Sequence, residues 1–273
     1  MSIKKCFPAG IALLLLLFGC GGDINENMPC SFCIATCGGK EFNPTEQKQY
    51  CSNDSLKEYG FITYENKTYK TVEIGNQVWM AENLNVAVAD SIEWMGYYDF
   101  NKYGSLYDWA TAMQLPLKCN NINAASADDD DCKIDTPHKG ICPPEWHIPV
   151  FYEWHILQHF VDSIYSGKNL KATNGWNSKD GKSGNGYDKY GFAALPGGYG
   201  QLVGKNYLPP NWSSGSMTLY KGIVGKEGRW WMVEELVENT AFFALMNYGS
   251  DVISITYPVE KLRLHSVRCV KDD

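Results

Sequence analysis

The chain has no apolar run long enough to cross a bilayer. Its longest, Ile11–Phe18, falls well short of the ~20 residues a spanning helix needs. Basic residues are also in short supply: 24 Lys and Arg stand against 31 Asp and Glu, for a formal charge of −7. An acidic chain without a basic cluster is a poor partner for nucleic acid and gains little from the charge of anionic lipid. No Gly-x-Ser-x-Gly elbow occurs, which removes the usual α/β-hydrolase nucleophile. The carboxylates are scattered and single out no acid–base pair of the glycosidase kind. His155 and His159 have the i, i+4 spacing of two zinc ligands, but Ile156 stands where a metalloprotease carries its Glu. The expectation for this pair is two solvent-facing side chains.

What the chain does have begins at its N-terminus. Lys4 and Lys5 give a short positive start, Ile11–Phe18 an apolar core, and Gly19-Cys20 a small residue followed by a thiol. That order fits a secretory signal, and Leu17-Phe18-Gly19-Cys20 looks like a bacterial lipobox. In proteins with that signal the peptide is cut before the cysteine, whose sulfur takes a diacylglycerol. Residues 1–19 are therefore read as a lipoprotein signal peptide and Cys20 as the lipidation site. Each buried methylene adds ~0.8 kcal/mol, so two or more fatty chains hold firmly. The membrane partner is reached through this anchor. Gly21 does not look like an inner-membrane retention signal, so the expected location is the outer membrane, on its surface or its periplasmic face.

The cysteines follow from export. With Cys6 removed and Cys20 acylated, Cys30, Cys33, Cys37, Cys51, Cys119, Cys132, Cys142 and Cys269 remain. An even set outside the cytoplasm reads as disulfides. Proximity pairs Cys119 with Cys132 across one polar loop, and Cys142 with Cys269 across much of the chain. The four near the N-terminus pair among themselves in an order the sequence leaves open; disulfides are preferred there over a zinc site. Residues 20–59, with this cluster behind a polar spacer, read as a stapled stalk. Asp128-Asp129-Asp130-Asp131 lacks the alternation of a calcium loop and reads as a solvated run. Neither a metal nor a cofactor is expected.

From residue 60 the pattern becomes globular. Ile62–Tyr64, Thr68–Val72 and Gln77–Met80 read as a meander around turns at Glu65-Asn66-Lys67 and Gly75-Asn76. Leu106–Met113 reads as a short helix. A clearer helix starts after Pro149, where Trp154, Leu157, Phe160, Val161 and Ile164 share one face. Residues 173–200 are Gly- and Asn-rich, and long loops of this kind are often functional. Phe242–Asn247, Val252–Tyr257 and His265–Val270 read as strands. The fold class is α+β, with short helices, twisted antiparallel strands and long Gly-rich loops, and with the chain ends near each other.

Six phrases carry a more specific likeness. They are Ile74–Val86, Tyr103–Ala110, Cys142–Pro149 with Glu153-Trp154, Tyr190–Gly198, Trp212-Ser213-Ser214 and Ser266–Asp272. Their order and spacing resemble the Fibrobacter succinogenes major paralogous domain family over about residues 60–272, and the domain is bounded as 60–273. The resemblance implies an exported or lipid-anchored bacterial surface protein with a C-type-lectin-like fold, shared with formylglycine-generating enzymes. It implies no transferable catalytic residue. Trp79, Trp109, Trp146, Trp154 and Trp212 lie inside these phrases and are expected in the core. The chain departs from the pattern where Val150 and Phe151 replace a small helix cap, and in the longer stretch 114–141.

Three functions follow for weighing. The first is a non-catalytic binding or adhesion module for polysaccharide or a surface protein. Its candidate ligand-facing rings are Trp176, Tyr187, Tyr199, Tyr207, Trp230 and Trp231, in Gly-rich loops or beside turns. The chain lacks the Glu-Pro-Asn, Gln-Pro-Asp and Trp-Asn-Asp triplets of calcium-dependent lectins, so sugar recognition would be calcium-independent. The second is a structural envelope protein. The third, a sulfatase-modifying type of enzyme, needs two reactive cysteines, and after Cys142 only Cys269 remains. The expectation is a protein that is not an enzyme.

Overall fold

The computed structural model describes residues 57–86, 98–122, 130–204, 215–219 and 223–272. The signal peptide, Cys20, nearly all of the stalk with Cys30, Cys33, Cys37 and Cys51, and also Tyr207, Trp212, Asp128 and Asp129 lie outside the described residues. From Tyr59 onward the chain forms one compact unit. No helix among the described residues is long and apolar enough to cross a membrane.

The expected meander is present. β1 (Tyr59–Tyr64), β2 (Lys67–Ile74) and β3 (Gln77–Met80) pair antiparallel. Glu65 and Asn66 both hold positive φ, 46° and 59°, the geometry of a two-residue turn whose twist matches the flanking strands. Two short helices follow, α1 (Phe100–Tyr103) and α2 (Trp109–Ala112). The second is a single turn where the sequence predicts a longer one. Its cap is Asp108, whose Oδ1 accepts from the Thr111 amide at 3.1 Å and from Asn120 Nδ2 at 2.7 Å.

β4 (Trp146–His147) leads into α3 (Phe151–Phe160). Val150 has no side-chain oxygen to cap this helix, and two carboxylates take that role. Glu153 Oε2 accepts from the Val150 amide at 2.9 Å and Glu234 Oε1 from the Phe151 amide at 2.7 Å. Negative charge there also suits the helix dipole. Trp154, Leu157 and Val161 are buried as expected, but the helix stops at Phe160, and Phe160 and Ile164 are exposed.

The rest of the unit is α4 (Ser166–Leu170), the small hairpin β5 (Ser178–Lys179) and β6 (Lys182–Ser183), and then β7 (Gly200–Gly204) and β8 (Gly215–Leu219). β9 (Glu227–Val237), β10 (Thr240–Asn247) and β11 (Ser254–Glu260) form a second meander. β12 (Arg263–Leu264) and β13 (Val270–Lys271) follow and join other sheets. The expected single strand over His265–Val270 is thus broken: bridges at His265 and Ser266 precede an irregular stretch before β13.

The sheets are ordered β1-β2-β3-β13-β4, β11-β10-β9 and β12-β7-β8, beside the β5-β6 hairpin, with antiparallel strand pairs throughout. β13 inserts between β3 and β4, so the end of the chain completes the sheet that its first strands begin. The architecture is α+β, mostly antiparallel sheet with few short helices.

β9 explains how two core clusters coexist. Trp230 and Met232 point into one, with Trp79, Trp154, Leu157, Trp176 and Phe192. Trp231 and Val233 point into the other, with Trp109, Tyr107, Met113 and the half-cystines Cys142 and Cys269. A strand buried on both faces reads as a continuous apolar run rather than an alternation. Trp79 and Trp154 pack with ring centroids 4.9 Å apart, and Trp154 lies 6.0 Å from Trp230, within the range of favourable aromatic pairs. Trp79, Trp109, Trp146 and Trp154 are all buried.

The disulfides are Cys119–Cys132, with Cα atoms 5.5 Å apart, and Cys142–Cys269, at 5.9 Å. The first tethers the 114–141 excursion and the second ties β13 to the segment before β4. Lys261 fastens the same excursion from within. Its fully buried ammonium donates to the carbonyls of Cys119 (3.2 Å), Ile122 (2.6 Å) and Glu238 (3.0 Å), pairs with Glu235, and sits 4.3 Å from the Trp109 ring centroid.

Candidate functional site

The ligand-facing rings expected from the sequence separate into two sets. Trp230 and Trp231 are fully buried and Trp176 is 5 % exposed. The reading of these three as exposed stacking platforms is corrected. Trp230 and Trp231 lie in the middle of β9, and their indole N–H groups are committed inside: Trp230 to Asn83 Oδ1 at 2.8 Å, Trp231 to the Tyr107 carbonyl at 2.7 Å. Trp176 donates to the Ala194 carbonyl at 2.9 Å. A buried Trp that has found a partner for its N–H is a core residue.

Tyr187 and Tyr199 remain near the surface. Tyr187 is 51 % exposed, flanked by the ammonium groups of Lys168 at 5.2 Å and Lys189 at 5.8 Å from its ring centroid. Tyr199 is half-buried and carries the Arg229 guanidinium 3.6 Å above its ring. Arg229 in turn pairs with Glu227 at 2.7 Å. Tyr187 therefore presents an exposed ring beside two cationic groups, while Tyr199 is a half-buried ring covered by Arg229, on the Gly-rich 173–200 stretch and its exit into β7.

Below Tyr199 lies His265. Its ring stacks on Trp231 (centroids 4.2 Å apart), with Phe243 at 4.7 Å and Tyr199 at 6.3 Å. It is completely buried, and neither ring nitrogen has a hydrogen-bond partner among the described residues. Burial, reinforced by the charges of Arg229 and Arg263, holds its pKa well below the ordinary imidazole value. His265 is consequently neutral and behaves as an aromatic core residue.

A second histidine is shifted in the opposite direction. His147 Nδ1 lies 2.6 Å from Asp272 Oδ1 and its Nε2 lies 2.9 Å from Glu153 Oε1. Burial alone would lower its pKa, but the hydrogen bonds and charges of Glu153 and Asp272 outweigh it and raise the value. The ring bridges the first turn of α3 to the residue after β13.

The polar centre of the molecule is Asn83. Its Oδ1 accepts from Trp230 and, at 3.0 and 2.7 Å, from Arg268 Nε and Nη2; its Nδ2 donates to the Tyr103 carbonyl at 2.8 Å and to Ser266 Oγ at 3.2 Å. Arg268 is buried, lies 4.3 Å from the Phe192 ring centroid, and also donates to the Phe192 carbonyl. Its burial lowers the pKa to about 9. Four of the six sequence phrases thus meet at the Asn83–Arg268 pair. Lys171 is a further buried cation, bonded to the carbonyls of Asn247 (3.1 Å) and Ser250 (2.9 Å), and its burial lowers the pKa to about 8. None of Asn83, His147, Lys171, Lys261, His265 or Arg268 is singled out by sequence reasoning. The only signal was that most of them sit inside, or next to, the recurring phrases.

The arrangement defines a disulfide-tied α+β domain whose shared phrases build scaffold from within. The chain belongs to the Fibrobacter succinogenes major domain family, whose model matches residues 72–271. No curated protein and no solved structure is significantly similar to it.

Proposed function

We propose that the chain is a lipid-anchored cell-envelope protein whose C-type-lectin-like domain binds a polysaccharide or a surface protein and is not an enzyme. The anchor reading rests on the Lys4-Lys5 start, the Ile11–Phe18 core and Cys20. Two disulfides in the domain favour an oxidising compartment, since such bonds rarely persist in the cytosol. In this reading the acyl chains seat in the outer membrane, the stalk spaces the domain from it, and the domain carries the contacts.

The observation that carries the binding reading is the placement of Tyr187, an exposed ring, and Tyr199, a half-buried one, beside Lys168, Lys189 and Arg229. Rings of this kind offer an apolar face at low entropic cost beside groups that can donate hydrogen bonds. Glycan-array and cell-wall pulldown measurements on the mature chain test it. Retention of a ligand that is lost in Tyr187→Ala and Tyr199→Ala supports the assignment, and unchanged retention in both variants rejects it.

A further inference from the structure

We propose that His155 and His159 form a two-imidazole chelate for a borderline divalent cation such as Zn2+, Ni2+ or Cu2+. Both lie on the side of α3 away from Trp154 and Leu157, His155 half-buried and His159 exposed. Their Nε2 atoms are already 3.2 Å apart. Two nitrogens at that separation, each ~2.1 Å from a metal, subtend roughly 100° at it. That angle falls between square-planar and tetrahedral coordination, the geometries that nitrogen-bound Cu2+ and Zn2+ adopt. Closing the chelate therefore needs no change in the separation of the two nitrogens, only a turn of the rings that aims both lone pairs at the cation.

Both rings are also held in place. Ser163 Oγ lies 3.2 Å from His159 Nδ1. With its proton on Nδ1 and donated to Ser163, His159 offers its Nε2 lone pair outward, the arrangement that a second-shell partner imposes on metal-ligating histidines. Phe151 stacks on His155 at 6.3 Å between centroids and 19° between planes. With that tautomer of His159 it is His155 that donates the Nε2 proton between the two rings. For both Nε2 lone pairs to reach the cation, that proton must leave for Nδ1 of His155.

Imidazole ligands favour these metals over Ca2+ or Mg2+, which prefer oxygen. No cluster of three or more His, Cys, Asp or Glu side chains suited to a metal occurs among the described residues, so the remaining positions fall to water or to donors from another molecule. Ile156 stands where the metalloprotease motif carries its Glu, so the general base of that motif is missing here.

The test is Zn2+ titration calorimetry on the full oxidised chain, with Cu2+ electron paramagnetic resonance as the structural readout. One equivalent of Zn2+ and a Cu2+ spectrum coupled to two nitrogens are expected. Ser163→Ala weakens binding about tenfold, the lower end for loss of an outer-shell partner, and His155→Asn or His159→Asn weakens it further. Circular dichroism and Tm of the metal-free variants stay unchanged, because the replaced side chains lie off the core. No Zn2+ binding, coupling to a single nitrogen, or binding that survives both Asn substitutions overturns the proposal; the last outcome would place the cation on other residues.

Discussion

The amide oxygen of Asn83 accepts two hydrogen bonds from the buried guanidinium of Arg268, at 3.0 and 2.7 Å. A neutral amide thus solvates a charge that has no carboxylate hydrogen-bonded to it among the described residues, although the charges of Glu82 and Asp188 act on it from further off. The arrangement joins the start of the domain to its end, 185 residues apart in sequence.

Asn83→Ala is expected to destabilise the protein by at least ~3 kcal/mol. The change strands Arg268 and the Trp230 N–H in a dry interior, and uncovering a buried charge typically costs ~3–5 kcal/mol. Urea unfolding followed by Trp fluorescence reads this as a lower midpoint. An unchanged midpoint would show that Asn83 is not the keystone of the polar centre.

The two disulfides should contribute unequally. Cys142–Cys269 closes a separation of 127 residues and Cys119–Cys132 one of 13. Chain entropy assigns them ~5 and ~3 kcal/mol respectively. Cys142→Ser with Cys269→Ser should therefore lower Tm more than Cys119→Ser with Cys132→Ser. Equal losses would mean that the long closure is offset by residual structure in the unfolded chain.

Much of this fold is legible in the sequence where patterns are local. The β1-β2-β3 meander is rich in β-branched and aromatic residues and its turns carry Asn and Gly, so its boundaries can be read to within a few residues. Cys119–Cys132 follows from proximity in sequence, and Cys142–Cys269 joins the two other cysteines of the domain across 127 residues. β9 is not legible, because Trp230-Trp231-Met232-Val233 serves two cores at once and shows no period of two. Its tryptophans then look like loop residues beside Gly228 rather than the middle of a strand. Asn83 and Arg268 escape for a different reason: each is an ordinary polar residue locally, and only the tertiary fold brings them together. Of the rings in the Gly-rich stretch, Tyr187 is exposed while Trp176 is buried, so glycine-rich surroundings alone do not mark a surface ring.

Histidine protonation gives stability a maximum near the ordinary imidazole pKa. For His147 the folded value is raised, so its stabilising contribution is complete below the unfolded value of ~6.5 and is lost as pH rises through the folded value. For His265 the folded value is depressed, so stability is instead lost as pH falls below ~6.5, where the unfolded chain takes up a proton that the folded chain refuses. Urea midpoints should fall on both sides of ~6.5, with the alkaline limb read below about 8, where the buried Lys171 begins to lose its proton and adds an opposite slope. His147→Gln should remove the alkaline-side decline and His265→Phe the acid-side one. Profiles that keep their shape in both variants would contradict the two opposed environments.

Intact-mass spectrometry of the protein extracted from host membranes bears most directly on the proposed envelope anchor. The predicted species begins at Cys20, carries a thioether-linked diacylglycerol and an N-acyl chain, and contains no free thiol. A species that still begins at Met1, with Cys20 unacylated and the domain cysteines reduced in the soluble fraction, would contradict it.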